Sequence, residues 1–174
     1  MPDGLYEHDA LAWADHQAAL LRRLAAGEGV NEAVDWPHVI EEVQDVGLSE
    51  LRACQSLLEQ ALTHLLKLHA MPDSPSAKHW RDEVRAFRHD VQRRFTPFMR
   101  QRIGLDDLYD KAAGRAQAAM EDNGVPIQPL LEACPFTLDD FLAGGPDVPA
   151  LVARLDEAGA DDLPEAAGLR GNHA

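Results

Sequence analysis

The chain has 174 residues, of which 45% are hydrophobic and 26% charged. That length suits one domain, or a domain with a tail, and a chain of this size can fold without a disulfide or a metal. Its 30 acidic and 16 basic residues give a formal net charge of −14, which disfavours nucleic acid or anionic membrane as a partner of the whole surface.

No apolar run approaches the ~20 residues of a membrane span, and the opening residues show neither the basic nor the apolar stretch of an export signal. A cytoplasmic location is expected. Cys54 and Cys134 make no ligand spacing and no secreted disulfide framework.

The charge is unevenly distributed. Residues 1–50 hold 11 acids and 2 bases, residues 51–104 hold 5 and 10, and residues 105–174 hold 14 and 4. The basic middle is mostly one segment, Arg81, Arg85, Arg88, Arg93, Arg94, Arg100 and Arg102. Such a segment inside an acidic chain has two readings: internal pairing with Glu41, Glu42 and Asp45, or an exposed anion-binding face.

In chain order, four helical segments are predicted and no segment alternates with a period of two. The first runs from about Asp9 to Ala26, with Ala10, Trp13, Leu20, Leu21 and Leu24 on one side, and ends at Gly27 and Gly29. Asp35 and Pro37 then form a start signal, a capping carboxylate followed by a proline in the first turn.

The second helix is predicted from about Trp36 to His69. Ile40, Val43, Gly47, Leu51, Cys54, Leu58, Ala61, Leu65 and Leu68 repeat at steps of three and four, a seam for packing against neighbouring helices. Gly47 lowers helix propensity there and permits a close crossing or a break.

A turn at Met71–Ser76 leads, with Ser74 or Ser76 as cap, to a third helix striped by Trp80, Val84, Phe87, Val91, Phe95 and Phe98. Pro97 should kink or end it early. A fourth helix is expected from about Asp106 to Asp122, closed by Asn123 and Gly124.

Beyond it Pro126, Pro129 and Pro135 break any long element, and Thr137–Asp140 can cap one short helix. From Gly144 the Ala/Gly/Pro/Asp text has one weakly amphipathic piece, Val148 to Leu155, so residues 144–174 are expected to be a weakly ordered or loosely docked acidic tail. The fold class is therefore all-α: a helical bundle of about four main helices over residues 5–143, with one long central helix and an irregular C-terminal segment.

Eight histidines invite a metal reading, but H-x-x-x-H, H-E-x-x-H and E-x-x-H are all absent. The weak candidates are His38, Glu42 and His64. Glu42 and His64 would lie about 33 Å apart along one straight helix, too far for a shared site.

His64 falls on the apolar line with Leu57, Ala61 and Leu68 and reads first as a core histidine, charged only if an acid lies beside it. Glu41 and Glu42 differ by 100° around their helix, so one of them is expected to face Arg81, Arg85 or Arg88. The polar constellation to locate is thus Glu41, Glu42, His64, Arg81, Arg85 and Arg88. His79 and Glu83 make an i,i+4 pair expected to be solvated. No nucleophile motif or phosphate loop is present, and no cofactor is expected.

Several of these residues carry a resemblance. Leu5-Tyr-Glu-x-Asp9, Trp13, the run His38-Val-Ile-Glu-Glu-Val-Gln-Asp-Val-Gly47 with Ser49-Glu50, His64-Leu-Leu-Lys67, Trp80-Arg81 and Cys134-Pro-Phe-Thr-Leu138 resemble the bacterial family known as domain of unknown function 29. The resemblance covers roughly residues 5–143 and implies a compact all-α domain with no assigned activity. Phe136 stands where a tryptophan is expected in many members.

Three functional readings follow. The first is a helical interaction or regulatory domain without catalysis, with a protein partner or a second copy. The second is a small metal-binding protein or enzyme using His38, Glu41, Glu42 and His64. The third is phosphate or nucleic-acid binding through the Arg81, Arg85 and Arg88 face. One stability expectation is independent of all three: Phe87→Ala should cost about 3–5 kcal/mol if Phe87 is fully buried.

Overall fold

The computed structural model describes residues 4–126, 130, 131 and 133–161. These residues are helical and loop-like, with no strand among them. The chain divides into two compact units, residues 1–50 and 51–174, so the boundary falls inside the long helix that the three-four stepping predicts.

The first unit contains α1 (Leu5–His8), α2 (Ala10–Ala25), a short 3-10 turn (Asn31–Ala33) and the first part of α3 (Trp36–Ala70). Asp9 starts α2 as expected, its side chain accepting a hydrogen bond from the Ala12 N–H at 2.9 Å. Gly27, at φ 87°, ends it. Trp13, Gln17 and Leu20 are the buried face of α2, and Val34 is buried on the connection. The side-chain carbonyl of Gln17 accepts from the Asp35 N–H at 2.9 Å, satisfying that buried amide and fixing where the chain turns into α3.

In the second unit the remainder of α3 is the central element. Cys54, Leu58, Ala61, Leu62, Leu65 and Leu66 are fully buried, the widened apolar arc that the leucine-rich sequence there requires. Around it stand α4 (Ala77–Arg94), α5 (Leu105–Asp122) and α6 (Val148–Asp161), with 3-10 turns at Pro97–Arg102 and Leu138–Phe141. Trp80, Val84 and Val91 of α4 and Leu108, Tyr109, Ala112, Ala116 and Met120 of α5 join the same core. Tyr109 is buried enough that its hydroxyl pKa is pushed up to about 12.

The structure differs from the sequence expectation in three places. Helix α4 stops at Arg94, the early end expected of Pro97: Phe95 turns extended, and the chain continues as the Pro97–Arg102 turn. Phe98 consequently leaves the stripe and is 72% exposed, while Phe87 is half-buried at the core's edge, so the full core penalty does not apply to Phe87→Ala.

The third difference concerns the C-terminal segment. Val148, Leu151 and Leu155, at steps of three and four, are buried in the core, so α6 is a docked element as far as Asp161. The rest of the expected tail, residues 162–174, lies outside the described residues.

Candidate functional site

Histidines meet carboxylates in each unit. In the first unit α1 brings Tyr6 over the start of α3. Its ring stacks on His38 with centroids 4.0 Å apart and meets the Trp13 ring edge-on at 4.8 Å. Its hydroxyl donates to a Glu42 carboxylate oxygen at 2.8 Å, and that bond is the main reason the Tyr6 pKa is raised to about 12.

Asp35, one residue ahead of α3, accepts from His38 Nδ1 at 2.7 Å and from the Trp13 indole N–H at 3.1 Å. The His38 hydrogen bond chiefly holds the Asp35 carboxyl below its ordinary range; partial burial opposes it and the indole adds to it. An aspartate on Nδ1 fixes the imidazole ring and leaves Nε2 as its remaining polar atom. The result is a clasp that joins α1, α2 and α3 through Tyr6, Trp13, Asp35, His38 and Glu42. Each group is engaged by another member, and no three of the described His, Cys, Asp or Glu residues converge to hold a metal ion.

A different face of the same helix segment is apolar and uncovered. Ile40, Val43 and Val46 are 53%, 70% and 71% exposed, and Trp36 stands partly exposed at the head of the line. Trp36, Ile40, Val43 and Gly47 follow one another at steps of four, three and four, the stepping that continues into the buried second part of α3. A Cβ added at Gly47 would meet nothing within 4 Å.

In the second unit His64 Nε2 lies 3.0 Å from a Glu83 oxygen, and His79 Nε2 lies 3.3 Å from the same oxygen. The His64 ring stacks on Phe87 at 5.7 Å. Burial lowers the His64 pKa despite Glu83, and its Nδ1 is buried with no acceptor or donor opposite it. Both facts describe a neutral imidazole donating from Nε2. The ring is partly buried at the edge of the core, with an acid beside it that is outweighed. Glu83 takes both histidines, so His79 and Glu83 are two members of a three-residue cluster.

Arg81, Arg85 and Arg88 of α4 make different contacts. Arg85 pairs with Asp82 at 2.7 Å on its own helix, and Arg88 turns inward to donate to the Pro146 carbonyl at 2.6 Å. Arg81 is exposed and lines a surface groove with Leu68, Pro72, Val148, Pro149 and Asp156. Glu42 accepts from Tyr6 in its own unit.

Nothing in the sequence pattern marks Tyr6 as the partner of Glu42 and His38. Tyr6 is 36 residues from Glu42, and a four-residue helix has too little periodicity to announce itself. Asp35 was legible as a cap, and its place three residues before His38 was the available signal.

The chain matches the family described as domain of unknown function DUF29 over residues 5–145. It is also similar to the crystal structure of an α-helical protein of unknown function from Rhodospirillum rubrum, at 33% identity and a TM-score of 0.67, covering 86% of this chain and 96% of that one. No curated protein matches it. With four-fifths of its length matched, from the Tyr6 clasp through α5 to Gly145, the chain belongs to the DUF29 family.

Proposed function

We propose that this chain is a helical protein-interaction domain working in the cytoplasm without catalysis of its own, and that the first part of α3 presents its docking face. The observation that carries the reading is the exposed line of Trp36, Ile40, Val43 and Val46. Isolated exposed apolar side chains are ordinary, but a run at helical spacing is a surface whose burial against another molecule is favourable. Behind that face the Tyr6, Trp13, Asp35, His38 and Glu42 clasp holds the helix in place, so those polar groups serve structure. Two cysteines without a disulfide accord with a reducing compartment.

The test is a photo-crosslinking amino acid placed at Val43 in the native host, with Asp15, an exposed polar position on α2, as control. Discrete covalent adducts at position 43 that are absent at position 15 are the expected result. Equal or no adducts at the two positions contradict the reading.

A further inference from the structure

Resting on that reading, we infer that the partner of the α3 face is a basic amphipathic helix. The spacing identifies the shape. Side chains at steps of four, three and four form a ridge that fits the grooves of another helix, and a glycine with open space at position 47 lets a second backbone approach closely.

Charge identifies the chemistry. Residues 31–50 contain Glu32, Asp35, Glu41, Glu42, Asp45 and Glu50 and no lysine or arginine. The unit's two basic side chains, Arg22 and Arg23, lie on α2, where Arg23 pairs with Glu28 at 2.7 Å. Glu42 flanks the line on the Val46 side, and Glu41 lies beyond Gln44 on the other, so an approaching helix meets an apolar ridge in a negative field. A second copy would set this acidic stretch against its own likeness; a helix with lysines or arginines beside its leucines would be drawn to it.

The experiment uses the full chain and a fluorescein-labelled synthetic peptide of four-three spaced leucines with lysines elsewhere, followed by anisotropy. A Leu/Glu peptide of the same spacing is the control. Binding of the Leu/Lys peptide is expected to weaken at least tenfold in Ile40→Ser/Val43→Ser, to weaken in Glu41→Lys, and to fall on the order of tenfold as salt is raised well above the physiological range.

Equal binding of the Leu/Glu peptide, binding indifferent to the double variant, no binding, or dimerisation of the chain through the same face in sedimentation would each overturn the inference. Adducts at Val43 without peptide binding would sink this inference alone; their absence would sink the interaction reading beneath it.

Discussion

At the scale of single residues, His64 makes a prediction whose sign follows from its surroundings. Burial lowers its folded pKa below the ordinary histidine value, more than Glu83 raises it, and Nδ1 has no partner to receive a proton's hydrogen bond. The unfolded chain therefore binds the proton more readily, and the stability His64 contributes is complete above about pH 6.5 and lost as pH falls through the folded value.

Denaturant unfolding from pH 7.5 down to about 5 should show that loss in the parent and a shallower slope in His64→Gln. Identical slopes would show that His64 does not titrate this way. The sequence made the burial of His64 legible, since it falls in line with Leu57, Ala61 and Leu68. It could not show Glu83 as partner, because that contact depends on how α4 is rotated against α3.

Among the elements, the loop between Thr137 and α6 is held by a buried carboxylate and a close backbone approach. Asp140 is buried and accepts from the Thr137 N–H at 2.7 Å, from its hydroxyl at 3.0 Å, and from Arg154 of α6 at 2.7 Å. Burial alone would raise its pKa, but those donors outweigh it and hold the carboxyl low.

Directly behind, a Cβ at Gly145 would stand 2.4 Å from the Asp140 backbone carbonyl, an overlap with main chain that no side-chain rotation relieves. Gly145→Ala should lower stability by about 1–3 kcal/mol in thermal or denaturant unfolding. An unchanged midpoint would mean that the loop shifts freely.

The short helix and its cap were legible from Thr137–Asp140, but α6 was underestimated. Its alanines and glycine hide three apolar positions, Val148, Leu151 and Leu155, and periodicity is weak evidence when so few residues carry it. The long helix shows the complementary limit. The three-four stepping marks its seam from Ile40 to Leu68, and the helix spans Trp36–Ala70, one residue beyond the expected His69. Yet stepping tells only which side chains share a face, not what covers that face. The line is buried from Cys54 onward and open at Ile40 and Val43.

On the scale of the whole molecule, apolar burial and charge are divided unequally between the two units. The second buries most of the core, including every fully buried leucine, while the first buries Trp13, Leu20 and Val34 and relies on its polar clasp. The acidic excess of residues 1–50 and the basic excess of residues 51–104 were visible by counting. Their use was not, because Arg85 and Arg88 find partners within the second unit and Glu42 finds Tyr6 within the first.

A docking face at the start of α3 requires that Ile40 and Val43 serve a partner rather than the fold. The most direct measurement is the unfolding free energy of Ile40→Ser/Val43→Ser against the parent, followed by tryptophan fluorescence from Trp13, Trp36 and Trp80 alongside helical signal from the whole chain. Exposed apolar positions released from any folding role should leave stability within about 0.5 kcal/mol. A loss of about 2 kcal/mol or more would mean these side chains are buried by the fold itself and would contradict the docking face.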